Sequence, residues 1–254
     1  MSWHIPRIWE GGECWIIGGG PSIPQIFGVP QDIINKVYEK ELPMSAFSPF
    51  LSPIHGKHVI AVNMAFKLGD WVDLMFFGDG GFYFKNRREL MQFPKPRITC
   101  NPNISKRENI GGIKFVNRDG RVPLGLSTRQ YFVSWNRNSG AAAISLATQM
   151  GATLIFLLGF DMNLDTLDRQ HWHSEYPTAA RKTIDPRRLP FKRHLQCFGA
   201  IKNDAEKQGV EIINVSPKSK ITEFKKMDLK EALEYGKSRK GTESEKMELV
   251  NPND

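Results

Sequence analysis

Residues 14–22 read CWIIGGGPS. The apolar run predicts a short buried strand over 15–17 that turns through Gly18, Gly19 and Gly20 into a helix opened by Pro21 and Ser22. In an α/β protein, a strand, a glycine turn and a helix start bring bare backbone N–H groups to an anionic ligand, and phosphate is the expected guest. The glycines put no Cβ between backbone and ligand, Pro21 suits a first helical turn where an N–H would be unpaired anyway, and Ser22 adds a hydroxyl donor. The competing reading is a tight turn without a ligand.

The same stretch argues against a dinucleotide site. Ile23 stands where G-x-G-x-x-G needs its last glycine, and the next strand, 59–62, ends on Asn63 instead of supplying an acidic residue about 20 positions on. A neutral Asn63 can still donate to and accept from a base or a sugar.

Outward from that turn, 254 residues suffice for one α/β domain with a full core, expected over 1–235 and followed by a charged, disordered tail over 236–254. A formal net charge of +8 favours anionic partners such as nucleotides, nucleic acid or phosphorylated sugars. The three cysteines are far apart with no C-x-x-C pair, which suggests neither a disulfide framework nor a zinc site and fits a reducing cytoplasm. The amino-terminal residues lack the apolar core of a signal peptide, and the longest apolar run, 154–158, is too short to span a bilayer. A soluble, cytoplasmic protein is the expectation.

Along the chain, 23–40 reads as a helix broken by Gly28 and Pro30 and resuming near Gln31, and 41–56 as a Pro- and Ser-rich loop anchored by Phe47 and Phe50 that could fold over the site. HVIAVN and LMFFGD are buried strands ending on Asn63 and Asp79, where strand ends face the crevice of a parallel sheet. The stretch 85–135 reads as an irregular insertion. Asn138, Ser139 and Gly140 then open an Ala-rich helix over 141–150, before the strand TLIFLLGFD. A polar loop over 162–190 leads to an amphipathic helix carrying Phe191, Leu195, Phe198, Ile201 and Ala205, then the strand VEIINVS and a terminal helix over 225–235. This alternation predicts an α/β fold of Rossmann-like, doubly wound type around a mostly parallel sheet.

Four groups of residues carry chemistry. The helix starts at Gly20-Pro21-Ser22 and Ser139-Gly140 would aim their positive ends at one crevice and hold a leaving phosphate or diphosphate without an obligatory metal, with Asn138 as N-cap. His171 and His173 flank Trp172 in a loop beyond the strand end at Asp161, and a neutral imidazole there suits proton removal from a hydroxyl near pH 7. In an extended loop His173 would face away from His171. Asp79 and Asp161 each follow an apolar strand, where they bind a sugar hydroxyl, orient an imidazole or cap backbone. An H-x-H pair can also bind metal, but only Asp161, Asp165, Asp168 and Glu175 are near enough in sequence to complete a site, and none is expected. The run 181–194 holds six Lys or Arg against one Asp, for phosphates, a nucleic-acid backbone or solvent, with Trp172 and Tyr176 nearby as stacking surfaces.

Taken together, IIGGGPS, VIAVNMAF, FFGD, NSGAAA, LLGFDM with HWH after it, and GVEIINVSPKS resemble the phage protein family labelled "norphogenetic", over roughly residues 14–233. That family is similar to the DUF115-type motility accessory factor proteins and to the bacterial sialyltransferases that use CMP-sugars. The resemblance implies a nucleotide-sugar site with a CMP- or UDP-sugar as donor, no obligatory cofactor, and His171 as the better candidate for the base. It departs from the sialyltransferases at Gly19, where they carry an Asn. The archaeal pterin pyrophosphokinases share the DUF115-like core, which keeps a Mg-dependent phosphotransferase as an alternative beside a non-catalytic nucleotide or nucleic-acid binder. The resulting expectation is a glycosyltransferase with a His base, acting on a glycan or nucleic-acid acceptor, in the host cytoplasm if phage-encoded.

Overall fold

The computed structural model describes residues 2–107, 112–176 and 189–250. The opening strand, β1 (Glu13–Ile17), is buried along its whole length and leads through the glycine turn into a four-residue helix, α1 (Ile23–Ile26). That helix begins after Pro21 and Ser22, and Pro24 takes the place in its first turn expected for Pro21. Next come α2 (Gln31–Tyr38), a 3-10 segment (Met44–Ile54), β2 (Val59–Val62), a second 3-10 segment (Asn63–Leu68), β3 (Leu74–Phe77) and α3 (Gly80–Gln92). The middle of the chain supplies β4 (Arg97–Thr99), α4 (Pro102–Arg107), β5 (Ile113–Phe115), β6 (Asn117–Arg118), β7 (Phe132–Val133) and α5 (Ser139–Gln149). The last part gives β8 (Leu154–Leu158), α6 (Phe191–Leu195), α7 (Phe198–Lys207), β9 (Glu211–Asn214), β10 (Lys225–Lys226) and α8 (Leu229–Val250).

Eight strands form one parallel sheet in the order β10-β9-β8-β1-β2-β3-β4-β5, while β6 and β7 pair separately. From β1 the chain builds outward through β5, then returns to lay β8 against the other edge of β1 and builds outward again. The sheet therefore changes direction between β1 and β8. Ligands of open α/β sheets bind beyond the strand carboxyl ends at such a point.

Strands buried on both faces read as unbroken apolar runs because alternate side chains serve two cores. Cys14, Ile16, Ile155 and Leu157 pack beneath α5 and α7, whereas Trp15, Ile17, Phe156 and Leu158 face the opposite core. Trp15 stacks on Phe156 across the β1–β8 seam at 4.2 Å between centroids. Burial of each such side chain stabilises the fold by roughly 1.5–3 kcal/mol. The small side chains Ala141, Ala142, Ala143 and Ala147 leave little between α5 and the sheet, and its residues are buried from Gly140 through Gln149.

Several boundaries differ from the sequence reading. The loop expected over 41–56 is largely the first 3-10 segment, whose Phe47 is buried 5.9 Å from Trp172 in the second core, and none of its residues lines the crevice that it was expected to cover. The stretch expected as an irregular insertion contains most of α3 and two strands of the main sheet, β4 and β5, too short and too interrupted by Pro and Asn to show apolar periodicity. The helix expected over 191–205 is two pieces, of which α6 buries no side chain and α7 buries Phe198, Ile201 and Ala205. Lys225 and Lys226 form the edge strand β10, and the helix starts at Leu229. Residues 236–250, expected to be disordered, continue that helix, while 251–254 lie outside the described residues. Among the described residues no helix is long and apolar enough to cross a membrane.

Candidate functional site

A cavity of about 590 Å³ opens beyond the carboxyl ends of β1, β2, β3 and β8, within the usual size range of small-molecule sites. It gathers Gly18, Gly19 and Gly20, Asn63, Asp79, Asn138 through Gly140, Asp161, His171 and His173. The glycine turn and the start of α5 thus border one space, but the start of α1 does not. Pro21 and Ser22 do not line it.

The reason lies in Asp161, which is 3 % exposed. Its carboxylate accepts from the Ser22 amide at 2.9 Å and from the Ser22 hydroxyl at 2.6 Å, and so occupies the start of α1 that was expected to hold phosphate. The Ser22 hydroxyl also lies 3.2 Å from that of Ser216, which accepts from the Gly159 amide. Burial pushes the Asp161 carboxyl above its ordinary range, opposed by the bonds from Ser22. Asp161 makes no hydrogen bond to either imidazole among the described residues; it ties the turn after β1 to the turn after β8.

The glycines serve the same junction. The Gly18 and Gly20 amides donate to Leu158 and Gly159 of the β8 turn, and a Cβ on Gly20 would stand 2.3 Å from the Asp161 Oδ2. Gly19 has another role. Its carbonyl accepts from the Trp172 amide and from His171 Nδ1 at 3.1 Å, and the Gly18 carbonyl accepts from Trp172 Nε1. Trp172 is therefore a buried pin and no stacking surface for a base. The glycine turn is a dock for HWH, a pairing of distant segments that neither motif reveals alone.

These contacts fix which nitrogens carry protons. A carbonyl can only accept, so His171 holds its proton on Nδ1 and keeps the lone pair on Nε2. His173 Nδ1 accepts instead from the Glu175 amide at 3.3 Å, which puts its proton on Nε2. Contrary to the expectation for an extended loop, both rings border the cavity, stacked 5.3 Å apart and nearly parallel, with the Tyr176 ring edge-on to each. Burial lowers the pKa of His171, partly offset by its bond to Gly19, and holds His173 well below the ordinary value, helped by His171 and by Lys67, Lys85 and Lys40. Both are neutral at pH 7. A third imidazole, His194 at the end of α6, also lines the cavity, lowered to about 4 by burial and then by Arg193 and His171.

The start of α5 borders the same cavity. Asn138 Oδ1 accepts from the Gly140 and Ala141 amides, confirming it as N-cap, while its buried Nδ2 has no partner among the described residues. The Ser139 amide, at the first helical position, has no intrahelical acceptor. Asn63 sits at φ 53° with its buried Oδ1 unpartnered. Asp79, at the end of β3, is exposed and accepts from the Gly81 amide to cap α3. Among the described residues no cluster of three or more His, Cys, Asp or Glu is arranged to hold a metal ion. Of the basic run, 181–188 lies outside the described residues, and Arg193 and His194 reach the cavity.

Of the cavity residues that the sequence reading did not single out, Arg118 is the most firmly mounted. Arg118, on the short strand β6, sits over Trp135 with its Cζ 4.0 Å from the ring centroid. Its Nε donates to the Cys100 carbonyl and its Nη2 to the Gly78 carbonyl, both at 2.9 Å. No local pattern marks this arginine, because its partners come from the ends of β3 and β4.

No protein-family model and no curated protein matches the chain, so the expected likeness to the phage family is not shown. Solved structures do match. The MAf glycosyltransferase from Magnetospirillum magneticum AMB-1 is 12% identical with a TM-score of 0.51, over 94% of this chain and 38% of that one, so this chain spans well under half of that protein. The sialyltransferase CstII from Campylobacter jejuni, solved with cytidine-5'-monophosphate, is 11% identical with a TM-score of 0.48 over 86% of each chain. At such identity the similarity to the MAf glycosyltransferase is one of fold. The chain is a doubly wound, parallel α/β protein of that architecture, with a polar cavity at the switch point of its sheet.

Proposed function

We propose that the chain is a glycosyltransferase-like enzyme that transfers a sugar from a nucleotide-activated donor to a hydroxyl acceptor without an obligatory metal. The observation that carries this reading is the proton placement on His171: Nδ1–H is committed to Gly19, and Nε2 keeps its lone pair at the switch-point cavity. Nε2 takes the proton of the acceptor hydroxyl as its oxygen bonds to the anomeric carbon. The bond from that carbon to the donor phosphate breaks, and the phosphate leaves with the electron pair. The Ser139 amide and Asn138 Nδ2 at the start of α5 are the donors for the leaving phosphate, a role that the start of α1 cannot take with Asp161 bound there. His173 presents Nε2–H and acts as a hydrogen-bond donor, not as a second base.

The test is a screen of CMP-, UDP-, GDP- and ADP-sugars by thermal shift and donor turnover, with and without EDTA. Stabilisation and turnover that survive EDTA support the reading. A response to ATP alone, and only with Mg²⁺, would replace it with a phosphotransferase on the same core.

A further inference from the structure

Arg118 is held in place without being neutralised. Its guanidinium is oriented by two strand-end carbonyls and by the face of Trp135, which itself rests on bare backbone: a Cβ on Gly78 would lie 1.9 Å from the ring. Asn101, buried, donates to the same Gly78 carbonyl and braces it. The carbonyls use two of the five guanidinium N–H groups and a contact with the Cys100 thiol takes up to one more, which leaves at least two for an outside partner. Arg129 and Arg169 are fixed and neutralised by Asp119 and Asp165, whereas Arg97, like Arg118, is held by backbone carbonyls, but Arg97 does not line the cavity. Arg118 forms no ion pair among the described residues, although it is half-buried and borders the cavity. A partly desolvated cation on a rigid mount is a site for an external anion, and a planar fork suits an oxyanion with two available oxygens.

Its place in the sheet says which part of the ligand it meets. Gly19, under His171, follows β1, and Gly78, under Trp135, follows β3, with β2 between them. Two strand spacings make the lateral offset roughly 10 Å. Arg118 is thus mounted two strands away from the base, over a different part of the same cavity.

We propose that Arg118 reads an oxyanion of the donor beyond the departing phosphate oxygen: the second phosphate of a nucleoside diphosphate, or a carboxylate on the sugar. This rests on the nucleotide-sugar reading, and pyrophosphate provides a probe that does not. Titration calorimetry on the full chain, wild type against Arg118→Gln and Arg118→Lys, would compare pyrophosphate, UMP, UDP, UDP-glucose and UDP-glucuronate, with circular dichroism to verify folding. The expected result is at least about tenfold weaker pyrophosphate binding in Arg118→Gln, with Arg118→Lys between it and wild type. An equal loss for UDP-glucose and UDP-glucuronate assigns the second phosphate, and a loss confined to UDP-glucuronate assigns the carboxylate. Should Arg118→Gln not fold, weaker binding by folded Arg118→Lys decides for the proposal and wild-type binding decides against it. Nucleotide binding that neither variant alters overturns the inference and leaves the nucleotide reading intact. Arg118-dependent pyrophosphate binding without any nucleotide binding does the reverse, and a wild type that binds none of the probes overturns the inference.

Discussion

His171 and His173 share a loop, a cavity wall and a depressed pKa, yet the partner of each Nδ1 gives them opposite duties. Asn at position 171 can still donate to the Gly19 carbonyl but cannot accept a proton. His171→Asn should therefore lower kcat by roughly 10²–10⁴-fold while donor affinity, read by calorimetry, stays near wild type. Because burial lowers the His171 pKa, the acid limb of kcat/KM for the wild type should fall below the ordinary histidine value, with activity present above that point and lost as pH drops through it. A pH–rate profile with its midpoint above 6.5 would remove His171 as the base. The HWH motif was visible in the sequence, but choosing between its imidazoles required Gly19 and Glu175, whose contacts exist only after folding. Arg118 was invisible for a similar reason: among 35 Lys and Arg, nothing nearby in sequence distinguishes one whose partners are two strand ends and a tryptophan.

The two helix starts looked equivalent as motifs and differ as elements. The helix after the glycine turn is four residues long and is met by an internal carboxylate, whereas α5 has eleven residues, a side-chain cap and an unclaimed first amide. Asn138→Ala should cost about 1 kcal/mol of stability through loss of the cap, measured by urea unfolding, and should also weaken phosphate-bearing ligands. Gly20→Ala would drive a methyl group into Asp161 and the Gly159 carbonyl, 2.6 Å away, and should destabilise by about 1–3 kcal/mol on the same scale. The central strands and α5 were legible because double-sided burial and Ala-rich packing leave unbroken apolar runs. The short strands β4 and β5 were not, since three-residue strands at the far side of a sheet are specified by their neighbours instead of by their own composition.

Across the whole molecule, the charge balance of the cavity ties stability to pH. His171, His173 and His194 are all held neutral by burial, so between the folded and unfolded pKa values the unfolded chain binds more protons. The sign is fixed: stability is present above pH 6.5 and is lost as pH falls, down to about 4 for His194. Asp161, with a raised pKa, works in the other direction, its contribution present at low pH and lost as pH rises through its folded value. The urea midpoint should therefore drop from pH 7 to pH 5, and His194→Asn should flatten that slope. An unchanged midpoint across this range would contradict neutral, buried imidazoles. The doubly wound architecture was readable from the alternation of segments, because few topologies accommodate it.

The bond between Ser22 and Asp161 joins residues 139 apart in sequence, across the seam of β1 with β8. A nascent chain that has emerged only through α5 therefore carries the first glycine turn with nothing to close it, and its opening strand has one bare edge. Assembly of the pocket must await synthesis of β8 and the HWH loop, and until β8 arrives the free edge of β1 is open to pairing with other chains.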